Sequence, residues 1–343
     1  MRAERTDATM LTWTRRRLTL GLLLTVSAAA VGPLQALVAM ADNRVRRLGF
    51  VHSGSASNTF SAETTFWERL RELGWIEEDN LFVVRRFADG RYDRLPGLVA
   101  EVISQHVDVI VVRDTPAAIA ARNATSTLPI VAAGIGDPLR SGLVASLARP
   151  GGNLTGLSLQ LAEGIPGKWL ELLQESIPRL STVAVIFNAD NPAAVQSAQA
   201  LSKATSERGL KLLSIDVRRE SEYDRAFQKA RQQVQAVVVV PDPLANDLRK
   251  PIAALAARYR IPAVYGLSDF VEAGGLISYG PVLRAGWRRA AEYVDRIFMG
   301  AKPGDLPIEL LSSFELVINL KAAKALSISI PQSILGRADR VIK

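Results

Sequence analysis

Short apolar runs ending in turn residues alternate with segments whose apolar positions recur every three or four residues, from Arg47 onward. LGFVHSG (48–54) has the pattern of a buried parallel strand. Phe66, Leu70 and Leu73 then mark one helical face, and Gly74 supplies a stop. LFVVRRF (81–87) predicts a second strand, and Leu95, Leu98, Val99, Val102 and Ile103 a second helical stripe. VDVIVVR (107–113), a helix through Ala117–Arg122 and LPIVAAG (128–134) continue the series. Repeated βα units of this kind imply a parallel sheet with helices on both faces.

The pattern breaks at Arg149-Pro150-Gly151-Gly152-Asn153, is followed by LTGLSL (154–159), and then repeats. Trp169, Leu172 and Leu173 lie on a helix, TVAVIFN (182–188) is a strand, and 192–208 a helix. KLLSIDV (211–217), a helix over 221–234, AVVVVPD (236–242), a helix over 244–259 and IPAVYG (261–266) complete the second set. The expected fold is therefore α/β, with two Rossmann-like lobes built on parallel sheets. The remainder, GGLISYGP (274–281), an amphipathic helix from Leu283 to Gly300, FELVINL (314–320) and a short terminal helix, is too small for a third domain. These pieces fit a chain that crosses back between lobes, 45–158 with 282–306 and 159–281 with 307–343.

The first 41 residues differ in kind. Arg2, Arg5, Arg15, Arg16 and Arg17 precede an uncharged stretch, Leu18 to Met40, which closes on Val38-Ala39-Met40-Ala41. A basic head, an apolar middle and small residues at −3 and −1 predict an export signal cleaved after Ala41. Gly21, Gly32, Pro33 and Gln35 interrupt the apolar part, which suits a membrane anchor poorly. Thr14-Arg15-Arg16-Arg17-Leu18 fits a twin-arginine signal, while the same arginines serve a Sec signal, and the two routes stay open. The full chain carries 42 basic and 34 acidic residues; the expected 302-residue mature chain carries 37 and 32, a net +5. No cluster of Lys and Arg interleaved with aromatics accompanies that charge, so a nucleic-acid partner is not expected.

Candidate chemistry is narrow. There is no cysteine, which excludes disulfides, thiolate metal sites and a cysteine nucleophile, and there are only two histidines, His52 and His106. Neither a metal nor another cofactor is expected. Gly134-Ile135-Gly136-Asp137-Pro138-Leu139 lacks the third glycine of a dinucleotide loop and places a carboxylate where phosphate would sit. No G-x-S-x-G elbow occurs. His52 could act as a base, but no nucleophile motif accompanies it, and a packed or solvent-facing histidine is the plainer reading. The expectation is a protein that is not an enzyme.

In open α/β sheets ligands sit beyond the carboxyl ends of the strands. There the sequence places Ser53, Ser55, Thr115, Pro116, Gly136, Asp137, Asn188, Asp190, Asp242 and Tyr265. Taken singly, such residues can be helix caps; as a set converging from two lobes they form a candidate ligand site. The first-lobe members suit a carboxylate or other polar end of a solute. Asp242 follows five apolar residues, so its carboxylate is expected to emerge at the sheet edge, outside the core, and take a cationic or donor group.

The segments GKWLELLQESIP, VAVIFNADNPAA, VVVVPDPL, IPAVYGLSDFVEAGGLISYGP and FELVINLKAAKAL together resemble the ABC transporter substrate-binding proteins of the tryptophan/tyrosine-binding type. The resemblance implies the type I periplasmic binding protein fold, two lobes joined by a three-crossover hinge, and a small solute in the interlobe cleft. It also implies delivery of the solute to an inner-membrane permease with its ATPase, by a monomer in a Gram-negative periplasm. GIGDP (134–138) then matches the first-lobe loop facing the ligand, and Asp242 of PDP (241–243) an acidic second-lobe residue suited to an ammonium. A sensor of the same fold, handing its ligand to a membrane kinase or receptor, and an α/β enzyme with an unrecognised site are the alternative functions.

Overall fold

The computed structural model describes residues 44–56, 61–159 and 164–343. The expected export signal, residues 1–41, lies outside the described residues. The first lobe begins β1 (Arg46–His52), α1 (Ser61–Glu72), β2 (Leu81–Phe87), α2 (Leu95–Ser104), β3 (Val109–Val112), α3 (Thr115–Ala124), β4 (Ile130–Ile135) and β5 (Leu154–Ser158). The second continues with α4 (Ile165–Ser176), β6 (Thr182–Phe187), α5 (Pro192–Glu207), β7 (Lys211–Asp216), α6 (Tyr223–Gln233) and β8 (Ala236–Val239). Then come α7 (Pro243–Asp247), α8 (Arg249–Arg258), β9 (Ala263–Tyr265), α9 (Asp269–Glu272) and β10 (Ile277–Pro281). The chain ends with α10 (Leu283–Phe298), β11 (Ile308–Leu310), β12 (Phe314–Asn319), α11 (Leu320–Ala325), α12 (Gln332–Leu335) and β13 (Arg340–Ile342).

The strands form a six-stranded sheet in the order β11-β5-β4-β3-β1-β2 and a seven-stranded sheet in the order β13-β12-β10-β9-β8-β6-β7. Alternation along each strand divides the core between faces. Leu48, Phe50, Val109 and Val111 pack under α1 and α10, whereas Val51, Ile110 and Val112 pack under α2 and α3. In the second sheet Val183, Val185 and Val238 face α4 and α5, and Ala184, Ile186, Val237 and Val239 face α6 and α8. Both faces of each sheet are covered, which is why the strands read as continuous apolar runs.

Three features depart from the sequence reading. Ile308–Leu310, expected in the second lobe, pairs in parallel with β5, with Ile308 opposite Gly156 and Leu310 opposite Ser158. The last return to the second sheet therefore falls after Leu310 rather than at residue 307. Sheet two is not wholly parallel, because β12 runs antiparallel to β10. The expected helix 244–259 is divided at Leu248 into α7 and α8. Strand membership takes the chain between the sheets three times, after Ser158, after Pro281 and after Leu310. No described helix is long and apolar enough to cross a membrane.

Candidate functional site

The carboxyl ends of β1, β3 and β4 meet those of β6 and β8 around a cavity of about 70 Å³. His52, Arg113, Thr115 and Gly136 line it from the first lobe. Asn191, Ala193, Asp242 and Asn246 line it from the second, and Trp287 and Leu283 of α10 close one side.

On the first-lobe wall, Asp114 caps α3 by accepting the Ala117 amide at 3.0 Å, and it also accepts the Ser53 amide at 3.0 Å and the Ser53 hydroxyl. Thr115 Oγ1 accepts the Gly136 amide at 2.9 Å, while the Gly136 carbonyl accepts the Ser158 hydroxyl at 2.7 Å. These bonds tie the ends of β1, β3, β4 and β5 together, so the wall is fixed before any ligand arrives. Arg113, only 9% exposed, lies across it with one terminal nitrogen 2.6 Å from His52 Nε2 and 3.8 Å from the Glu63 carboxylate. Its guanidinium carbon stands 5.9 Å from the ring centre of Trp287, within cation–π reach. Burial, and then the Arg113 charge, hold the His52 pKa well below its ordinary value, so the ring is neutral at physiological pH.

The second-lobe wall centres on Asp242, which is 2% exposed. Its Oδ1 accepts the amides of Leu244 at 3.1 Å and Ala245 at 3.4 Å, capping α7, and lies 3.5 Å from Asn188 Nδ2. Its Oδ2 accepts from Asn191 Nδ2 at 3.0 Å and from the Tyr92 hydroxyl at 2.8 Å. Tyr92 belongs to the first lobe, in the 3-10 turn Tyr92–Arg94, so this last bond spans the cleft. A second bond does the same: the Ser55 amide donates to Asp247 Oδ2 at 2.6 Å. Burial raises the pKa of Asp247 to about 6, and the pKa values of Asp114 and Asp242 also rise, again chiefly through burial.

Of the ten residues expected from sequence, Thr115, Gly136 and Asp242 line the cavity. Ser53 and Asn188 stand behind it, binding Asp114 and Asp242 respectively, and Ser55 bridges the lobes through its backbone. Pro116 is buried in the first turn of α3. Asp137 points its carboxylate back to the amides of Leu139 and Arg140, both at 3.0 Å, as a local turn cap. Asp190 pairs with Arg218 at 2.9 Å on the exposed rim. Tyr265 is 0% exposed, stacks on Phe270 at 4.7 Å, and sits on the Ala263 face of its sheet, so it does not reach the cleft. Asp242 likewise does not emerge into solvent: it is buried, with Asn188, Asn191, the first amides of α7 and Tyr92 of the other lobe around its carboxylate.

Sequence reading missed Arg113, Asn191, Asn246 and Trp287. Arg113 ends an otherwise apolar strand, VDVIVVR, and a single cation closing such a run was the available signal. Trp287 was legible only as part of an amphipathic helix. Among the described residues no group of His, Cys, Asp and Glu is arranged to hold a metal ion.

Comparison with known proteins agrees with the two-lobed α/β fold. A curated relative, the tyrosine-binding protein of Clostridioides difficile (strain R20291), is 26% identical over 265 residues, covering 77% of this chain and 76% of the relative. A conserved domain protein from Vibrio cholerae superposes with a TM-score of 0.81 at 25% identity, over 87% of this chain and all of that one. The ABC domain of a Streptococcus protein, solved in complex with L-Trp, gives 0.80 at 24% identity, over 87% of this chain and 99% of that one. The family model for ABC transporter substrate binding proteins matches residues 55–342, and the chain belongs to that family.

Proposed function

We propose that the protein is the periplasmic solute-binding component of an ABC import system. It takes up a small polar or amino-acid-like solute between its lobes and delivers it to a membrane permease driven by its ATPase. The observation that carries the reading is the cavity at the converging strand ends, lined by polar groups of both lobes and bridged by Tyr92–Asp242 and Ser55–Asp247. A solute seated there touches both lobes only when they are closed, so its binding energy selects the closed state. The binding of tyrosine and L-Trp by relatives supports an amino-acid-like solute. Thr115 and Gly136 on one side, and Asn191, Asn246 and Asp242 on the other, are the proposed contacts. Export of the chain, with residues 1–41 removed, belongs to the same proposal.

Calorimetry and thermal shift with L-amino acids, aromatic acids and small carboxylates test it. A true solute at about 100 times its Kd stabilises the protein by about 2.7 kcal/mol. Gly136→Val supplies the control, because even a Cβ at Gly136 would stand 2.5 Å from Ala193 Cβ across the cleft. That variant is expected to keep its fold and lose binding, since the added side chain props the lobes apart. Equal affinity in the two proteins would place the site elsewhere.

A further inference from the structure

The cleft has a chemical direction that neither wall shows alone. Arginine can only donate, so the 2.6 Å contact between Arg113 and His52 makes Nε2 the acceptor. In a neutral ring the proton then resides on Nδ1. That Nδ1–H is buried and has no hydrogen-bond partner among the described residues, although His52 lines the cavity. On the opposite wall Asn246 also lines the cavity, and its side-chain oxygen is buried without a partner among the described residues. Leaving a buried donor or acceptor unsatisfied is costly, and in native proteins each such group calls for an explanation. His52, whose neighbour Arg113 is a buried cation paired with Glu63 at 3.8 Å, and Asn246, in the helix capped by the buried Asp242, thus line one cavity from opposite lobes, one with an unpartnered donor and the other with an unpartnered acceptor.

We infer that the solute's carboxylate binds at His52 Nδ1–H beside Arg113, and that its ammonium or other donor end faces Asn246. His52 is thus a specificity-determining residue for acids, and Arg113 positions it by fixing the tautomer while supplying the positive charge. The inference rests on the solute-receptor reading above and narrows it to carboxylate-bearing solutes with an opposed donor.

The test pairs each acid with its decarboxylated analogue: L-tyrosine with tyramine and L-tryptophan with tryptamine, with myo-inositol as a neutral solute, titrated calorimetrically into the full-length protein. The acid is expected to bind and its amine to bind roughly ten- to a hundredfold more weakly, the range of one charged hydrogen bond. His52→Phe removes the donor and should weaken the acid by a similar factor without changing the amine. His52→Gln, whose amide can accept from Arg113 and donate to a carboxylate, should restore most of the loss. If His52→Phe does not fold, the acid–amine comparison on the unaltered protein decides alone. An amine that binds as tightly as its acid, or a His52→Phe loss common to both, overturns the inference. Binding of myo-inositol without either acid also overturns it while leaving the solute-receptor reading standing. Failure of all five probes counts against both.

Discussion

The two lobes build their cleft walls in different ways. In the first, several short ties, Ser53 to Asp114, Gly136 to Thr115 and Ser158 to Gly136, spread the capping over four strand ends. Behind them lies an aromatic layer in which Phe50, Phe66, Trp67 and Trp287 contact one another. In the second, one carboxylate collects donors from two asparagines, two backbone amides and a tyrosine of the other lobe. A distributed wall tolerates loss of any one tie, whereas a wall gathered on one residue does not. The first lobe therefore suits the role of a preformed platform, and the second that of a clamp held in shape by Asp242.

The sharpest way to break this contrast is Asp242→Ala. Several buried donors would lose their acceptor together, at about 1–3 kcal/mol for each group left stranded, so a loss of about 3–5 kcal/mol in unfolding free energy is expected. Ser53→Ala, which removes one tie from the first wall while the Ser53 amide still reaches Asp114, should cost about 1 kcal/mol. Urea unfolding of the two variants measures both, and equal losses would erase the distinction between the walls. A purely ligand-facing Asp242 would predict weaker binding with stability unchanged.

A smaller effect concerns pH. Asp247 has a folded-state pKa raised from 3.8 to about 6 by burial, so the native protein holds this proton more tightly than the unfolded chain does. Its contribution favours the folded protein fully below pH about 4 and is lost as pH rises through about 6. Asp247→Asn keeps an oxygen for the Ser55 amide but cannot ionise. Relative to the unaltered protein, it should gain stability between pH 5 and 7.5, by about 1–2 kcal/mol. A difference independent of pH would show that Asp247 is solvated and that its bond to Ser55 does not bury it.

The smallest expected effect is Tyr265→Phe. The hydroxyl is buried without a partner among the described residues, and burial alone raises its pKa. Removing it should leave solute affinity unchanged and alter stability by less than about 1 kcal/mol, because no hydrogen bond is lost. A tenfold loss of affinity would return Tyr265 to the cleft.

These cases show where sequence reading reaches its limit. The βα alternation was legible because buried strands and amphipathic helices differ in period, and the positions of the strand ends followed from it. Which strand-end side chains enter the cleft did not follow. In IPAVYG and VVVVPDP both sheet faces are buried, so no polar alternation assigns Tyr265 to one face or reveals that Asn188, Asn191 and Tyr92 enclose Asp242. β11 was missed because three residues, Ile308–Leu310, leave no periodic trace, and its place depends on a tertiary partner, β5. Arg113 was hidden inside a strand pattern, where a terminal cation carries no period of its own.

The central claim is that a solute closes two lobes with unlike walls around itself. The absence of cysteine allows a direct measurement with spin labels on a double variant, Arg91→Cys and Arg219→Cys. Both positions are exposed and line the same rim from opposite lobes. Electron–electron distance measurements are made with and without a solute that calorimetry shows to be bound. The account predicts a broad or longer distribution without solute that collapses to one short distance when it is saturating. An unchanged distribution in the presence of bound solute would contradict it.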